Sequence, residues 1–283
     1  MGFMNKILTD FLDNLKQRGR SSATILAYGK DVDQLFEFLA KEKVTTAQEL
    51  TPEQVEAFKK HLGAKDYTAK SISRKLNSIK TFCRYLISQK IITDNPAAKI
   101  EHPRYDSQPP RILSKMEYRS LRDACHADPR LYAIVELLLQ TGIRIGELAN
   151  LALDDIDTDK ILVRAYESHP QRQVPLNPAA QQAVTGYLKS RPKTNAKTVF
   201  VTKTGRPFLI RNIRTAIDRY FKSAEVKNAR VNDLRHTFIA HQLEAGTPLT
   251  MVSRLVGHKR LSTTEKYLAF VKKSEAAPAK LEE

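Results

Sequence analysis

Residues 101–112 read Glu-His-Pro-Arg-Tyr-Asp-Ser-Gln-Pro-Pro-Arg-Ile. Each proline removes a backbone donor and biases the residue before it towards extended backbone. Neither a helix nor an inner strand can run through such a stretch. Any core built before it must therefore close apart from any core built after it. A chain of 283 residues, at roughly 150 per domain, has room for about two such cores. The expectation is a helical domain over 1–100, a linker over 101–112 and a second domain over 113–283. The low-complexity stretch Ser274–Glu283 reads as a flexible tail.

Apolar residues recur at helical spacing through the first segment. Ile7, Phe11 and Leu15 mark one helix, and Ser21-Ser22 can cap a second that buries Val32, Leu35, Phe36 and Leu39. Thr51-Pro52-Glu53 opens a third, with proline where its missing N–H costs nothing. A fourth, over about 68–88, turns Ile72, Leu76, Ile79, Phe82, Cys83 and Leu86 inward. Its polar side carries Lys70, Arg74, Lys75, Lys80 and Arg84. In the second segment a helix starts near Ser114, and a strongly apolar one runs over 131–140 and stops at Thr141-Gly142. A short β-hairpin spans 160–176 with His169-Pro170 at its turn, and helices follow near 178–190 and 210–223, before the segment 231–271. The fold class is mainly α with a small β-sheet.

Charge narrows the function. Lys and Arg number 47 against 31 Asp and Glu, a net +16. The excess is concentrated: residues 61–90 hold seven basic side chains against the single acid Asp66, and residues 185–236 hold thirteen against three. One dense basic segment per half suits gripping a polyanion, most simply duplex DNA, from two sides. Single lysines and arginines are usually solvated surface, and a ribosomal or membrane-surface protein would share the balance. No apolar run approaches the ~18 residues of a membrane span, and the first residues lack a signal-peptide core. Two cysteines form no disulfide framework and no zinc-ligand spacing is present. The chain reads as intracellular and cytoplasmic, with no membrane partner.

Four segments could carry chemistry. Thr141-Gly-Ile-Arg144-Ile-Gly-Glu-Leu places an arginine beyond a buried helix. Asn232-Asp-Leu-Arg235-His-Thr places a second beside a histidine. Gly257-His258 offers an imidazole where the backbone can turn close to a phosphate, and Tyr267 follows nine residues later. Singly, each has a bland reading: a capping arginine, a surface histidine, a core tyrosine. Jointly they match one task. Two guanidiniums can clamp a phosphodiester by paired N–H donors and neutralise charge building on phosphorus. A histidine can hydrogen-bond a phosphate oxygen or move a proton, and a tyrosine can attack phosphorus. That chemistry requires neither metal nor other cofactor.

The order Thr-Gly-Ile-Arg144-Ile-Gly-Glu-Leu, Asp-Leu-Arg235-His-Thr, Leu-Val-Gly-His258, Ser-Thr-Thr-Glu-Lys-Tyr267 resembles the tyrosine recombinase family, which includes phage integrases and Xer recombinases. Ser22-x-Thr24-x-x-x-Tyr28 is similar to the start of the family's core-binding domain. The resemblance implies a helical, SAM-like core-binding domain and a recombinase catalytic domain around double-stranded DNA. It also implies a site-specific recombinase that forms a 3′-phosphotyrosyl bond through Tyr267, activated by Arg144 and Arg235 with His258 on the scissile phosphate. Four protomers would assemble on paired sites; accessory proteins stay open. No separate arm-binding domain is expected ahead of the core-binding one, an expectation that leans towards a Xer-like or TnpI-like transposon resolvase and away from a large integrase.

Two positions depart from the family. Asn232 stands where a histidine is usual; it can donate to a phosphate but not shuttle a proton at neutral pH. The hairpin lysine that protonates the leaving 5′-oxygen would fall at about Glu167. His169 and Lys160 are the candidate general acids in its place, with His169 slightly ahead. Arg172 stands nearby as a DNA contact that would hardly release a proton. Arg74 is the expected base-reading residue. The competing readings are a non-catalytic DNA-binding protein on the same fold, favoured by these two departures, and a type IB topoisomerase, disfavoured by the N-terminal pattern.

Overall fold

The computed structural model describes residues 2–106, 108–167 and 169–271; the expected tail lies outside them. Its contacts divide the chain into two compact units, with the boundary between residues 107 and 108.

The first unit is helical: α1 (Gly2–Gln17), α2 (Ser22–Lys41), α3 (Pro52–Ala64) and α4 (Ala69–Ser88). Ser21, Thr51 and Thr68 each accept a backbone N–H from the first turn of the helix they precede, satisfying donors that helix geometry leaves open. Phe11, Leu35, Phe58, Leu76, Ile79 and Phe82 fill the core. The basic side of α4 is less open than its sequence implied. Lys75 is buried, donating 2.9 Å to Asp31 Oδ1 and 2.7 Å to Gln34 Oε1. Both Nη atoms of Arg74 fork onto the same Asp31 carboxylate, and Lys80 donates to the Ile100 carbonyl at 2.8 Å. Asp31 is itself buried, so the helix turns part of its charge inward to match it. Lys75 is thus corrected from a DNA contact to a structural partner, and Arg74 has its guanidinium already engaged. The exposed stripe of α4 runs Lys70, Arg74, Asn77 and Arg84.

The expected linker is tied at its ends. Lys59 donates to the Glu101 carbonyl at 3.3 Å and Ser73 Oγ lies 3.0 Å from His102 Nδ1, within the first unit. Leu113 donates its N–H to Thr237 Oγ1 at 2.9 Å, within the second.

The second unit opens with α5 (Lys115–Cys125), capped by Ser114, and the apolar α6 (Pro129–Thr141). Gly142 ends α6 at φ +61°, where a Cβ would stand 2.3 Å from Phe238 Cδ1, so only glycine fits. The short α7 (Ile145–Ala149) follows at once. Strands β1 (Lys160–Val163) and β2 (Arg172–Pro175) pair antiparallel, with Val163 opposite Arg172 and Lys160 opposite Pro175. Then come α8 (Pro178–Ser190), α9 (Ile210–Ser223), α10 (Val231–Glu244), α11 (Leu249–Val256) and α12 (Ser262–Glu265), with a 3₁₀ turn over Leu268–Phe270.

One buried ion cluster fixes hairpin, α7 and the end of α11 together. Arg172 Nη1 and Nη2 fork onto the Glu147 carboxylate at 2.8 and 2.7 Å, while Arg172 Nε donates to the Leu255 carbonyl at 2.7 Å. Arg144 gives the same carboxylate its backbone N–H at 2.8 Å and Nη1 at 3.0 Å. Burial alone would raise the Glu147 pKa. The Arg172 fork, the Arg144 N–H and both positive charges outweigh it and hold it at about 2.

The unfolded chain therefore binds a proton at Glu147 before the folded one does. Stability from this group is complete above the ordinary carboxylate value of 4.5 and lost as pH falls towards 2, a span worth about 3 kcal/mol. Glu147→Gln should lower neutral-pH stability by about 3–5 kcal/mol, because it strands Arg172, and should flatten the acid limb of a denaturation-versus-pH curve. Equal curves for the two proteins would show that the cluster does not hold the unit together.

Candidate active site

Arg144 sits at the N-cap of α7, where the chain leaves the left-handed Gly142. Beyond Glu147 it donates Nη1 to the Val256 carbonyl at 3.2 Å and Nη2 to the Gly257 carbonyl at 2.8 Å. Arg235, on α10, is 6% exposed. It donates Nη2 to the same Val256 carbonyl at 2.7 Å and Nη1 to the Gly142 carbonyl. Two guanidiniums from different helices thus converge on one carbonyl oxygen. A guanidinium carries five donors, and among the described residues neither arginine uses all of them.

Gly257 makes the convergence possible. It caps α11 at φ +68°, and a Cβ there would lie 3.0 Å from Arg172 Cζ. The next residue, His258, places Nδ1 2.8 Å from Thr264 Oγ1. A threonine hydroxyl donating to Nδ1 leaves the ring hydrogen on Nε2. Burial, then the charges of Arg235 and Arg144, push the His258 pKa down to about 4, so the ring is neutral at neutral pH. Burial and repulsion from Arg144 bring Arg235 down to about 9, still protonated. The site is thus short of negative charge.

Tyr267, also 6% exposed, lies between two imidazoles. Its ring centroid is 5.9 Å from that of His236 and 6.4 Å from that of His258. Burial raises the phenol pKa, partly offset by the Arg235 charge.

Arg144, Arg235, His258 and Tyr267 therefore come together. Asn232 is exposed on α10, one turn before Arg235 and His236 and on their side of the helix. The hairpin candidates separate. Arg172, expected on DNA, is instead held on Glu147 and the Leu255 carbonyl, with its side chain only 9% exposed. Lys160 starts β1 opposite Pro175, about 10 Å of strand from the Arg172 end, and its ammonium lies 3.8 Å from Asp157. Lys160 thus stands at the end of the hairpin away from Arg172, in contact with Asp157. His169 is at the right end. Its backbone pairs with Tyr166, whose ring packs over Gly146 of α7. Burial and then the Arg144 charge hold its pKa below the usual imidazole value. Glu167, at the turn, has φ +52° and a carboxylate whose charge is felt by Arg144.

Sequence reasoning quoted Glu147, Thr264 and His236 inside the motifs without giving them work. Glu147 was legible as an acid one turn after Arg144 at a helix start. Thr264 was not, because the contact spans a loop. His236 shares a helix face with Asn232, a spacing that was available to read.

The sequence pattern of the phage integrase family matches residues 111–273, and that of the phage integrase N-terminal SAM-like domain matches residues 8–90. The chain is 30% identical to the tyrosine recombinase XerC of Anoxybacillus flavithermus over 279 residues, 93% of either chain. In fold it is similar to a Tn1549 transposon integrase solved with transposon right-end DNA, at a TM-score of 0.76 and 19% identity over 95% of either chain. A lambda integrase tetramer solved on a Holliday junction also shares the fold, at a TM-score of 0.72 and 18% identity, over 90% of this chain and 77% of that one. With both halves of the chain matched and the two motif arginines sharing one carbonyl beside His258 and Tyr267, the chain belongs to the phage integrase family and is a tyrosine site-specific recombinase.

Proposed function

We propose that Tyr267 attacks the scissile phosphodiester of a paired DNA site, forming a 3′-phosphotyrosyl bond and releasing a 5′-hydroxyl, and that the 5′-hydroxyl of a partner strand reverses the step. The observation that carries this is the convergence of Arg144 and Arg235 on Val256 O beside His258, with Tyr267 packed behind. The spare N–H donors of both arginines meet the non-bridging oxygens, where charge grows as phosphorus becomes five-coordinate. His258, neutral, donates Nε2–H to one of them. Asn232 donates a further hydrogen bond without shuttling a proton. His169 is the hairpin group within reach of the leaving 5′-oxygen; an arriving phosphate counters the Arg144 charge and favours its protonated, acid form. The bond energy is stored in the protein–DNA ester, so the reaction needs no nucleotide cofactor.

The substrate is double-stranded DNA, bound from both basic halves of the chain, and the working assembly is a tetramer on two sites, a reading supported by the lambda integrase tetramer solved on a Holliday junction. The identity with XerC favours a Xer-like resolvase acting in the cytoplasm. A transposon-borne role is the second reading, supported by the Tn1549 integrase fold.

A nicked suicide substrate should trap a covalent band on a denaturing gel, and Tyr267→Phe should abolish it. A surviving band would remove Tyr267 from the nucleophile role. Arg144→Ala and Arg235→Ala should each slow cleavage by about 10²–10³ while most DNA affinity remains, since affinity is spread over many phosphates. Equal loss of both would point to folding instead.

On α4, Lys70→Ala and Arg84→Ala should each lower the slope of log affinity against log salt by about one, for cognate and scrambled DNA alike. Lys75→Ala should lower the melting temperature. A Lys75 variant that melted normally but lost salt slope would restore it to the DNA face.

A further inference from the structure

Resting on the reading of Tyr267 as nucleophile, we propose that His236 is the general base of the reaction, oriented by Asp233, so that Asp233, His236 and Tyr267 form a proton relay that stands in for the histidine replaced by Asn232.

The argument starts from the phenol. Its pKa is raised by burial, so at neutral pH it holds its proton and is a weak nucleophile. Three titratable groups lie against it among the described residues: Arg235, His258 and His236. Arg235 is protonated and cannot accept. His258 has Nδ1 on Thr264 and a pKa of about 4, so it holds a second proton poorly. His236 remains. Its ring is the nearer of the two imidazoles and its side chain is 22% exposed, open enough to exchange protons with water.

His236 is also oriented. Asp233 sits one turn earlier on α10, with its Oδ1 3.5 Å from His236 Nδ1. The other carboxylate oxygen accepts the Arg230 N–H at 2.8 Å, which locks the side chain. His236 Nδ1 is buried and, among the described residues, makes no hydrogen bond; the Asp233 carboxylate oxygen at 3.5 Å is the acceptor placed to take one once the ring closes up. A carboxylate facing Nδ1 favours the tautomer with hydrogen there and a lone pair on Nε2. A nucleophile, a base beside it and a carboxylate behind the base are the arrangement that activates hydroxyl nucleophiles elsewhere. The ring separation of 5.9 Å leaves room for one rotamer change or one water between imidazole and phenol on DNA binding.

The step balances. The Tyr267 Oη–H proton passes to His236 Nε2 as the Oη–P bond forms. The P–O5′ bond breaks, and the 5′-oxygen takes a proton from the hairpin-side acid or from water. In religation the imidazolium returns its proton to Tyr267. The groups that face His236 are Asp233 on its own helix, His258 from the loop after α11, and Tyr267, with the Arg235 charge one residue before it on α10.

The test is single-turnover cleavage of a nicked suicide substrate by the full chain. His236→Ala should bind DNA like the parent and form the covalent adduct about 10²–10⁴-fold more slowly. Added imidazole should raise that rate and leave the parent unchanged. A ring-fluorinated tyrosine at position 267, whose phenol ionises more readily, should shrink the His236→Ala defect. If His236→Ala no longer binds DNA, His236→Gln takes its place and must be slow as well. A parental rate in the variant that binds, or a slow rate untouched by both imidazole and fluorination, overturns the proposal. A covalent band from Tyr267→Phe would instead sink the nucleophile reading, independently of His236.

Discussion

The Glu147 carboxylate is the point on which the catalytic unit depends. It receives a fork from β2, a backbone N–H and a guanidinium from the start of α7, and through Arg172 it reaches the last turn of α11. Without it three positive or donor-rich elements would meet with nothing between them. The cluster also explains two glycines. Gly257 must turn left-handed over the Arg172 guanidinium, and Gly142 must turn left-handed under Phe238 to release Arg144. A buried ion pair earns little stability for its own sake. Here it sets the register between a hairpin and two helices, which pure apolar packing would leave free to slide.

The same geometry produces an unsatisfied electrostatic field. Arg144 and Arg235 lean on backbone carbonyls, and burial, then the neighbouring positive charges, lowers the pKa of Arg235 and of His258. Both shifts record what it costs to hold positive charge in a buried site, with the crowding of cations adding to the loss of solvent. A dianionic, five-coordinate phosphate relieves that cost more than a monoanionic diester does. Binding energy is therefore weighted towards the transition state, which is the condition for rate rather than affinity.

The motifs were legible because they are local: Arg144, Arg235, His258 and Tyr267 each sit in a short segment with fixed helix or turn chemistry. Helix starts were legible for the same reason, since Ser21, Thr51, Thr68 and Ser114 cap where they stand. Charge patterning failed where it needed a partner from another element. Lys75 shares the amphipathic pattern of Lys70, yet Asp31 on α2 draws it inward. Arg172 reads as a turn-side cation until Glu147 is placed beside it. Lys160 and His169 are nine residues apart on one hairpin, and only the register, Lys160 opposite Pro175, shows which end meets Arg144.

The departures from the family fall on one side of the chemistry. Both groups that clamp phosphate are arginines, whose task is charge and geometry and which no other residue performs as well. The two altered positions, Asn232 and Glu167, are those whose task is a proton. Proton transfer tolerates relocation, because it needs a group of suitable pKa within reach of the atom and not a fixed fork of donors. One turn of α10 separates position 232 from His236 on the same face, and two residues of turn separate position 167 from His169, so the proposed bases and acids need only short moves along the chain. Glu167 itself, beside Arg144, could not serve as a lysine does, since its charge would oppose the phosphate that Arg144 attracts. With the roles proposed for His169 and His236, the chain keeps the electrostatic half of its site unchanged and moves the proton-handling half onto histidines that the fold already holds nearby.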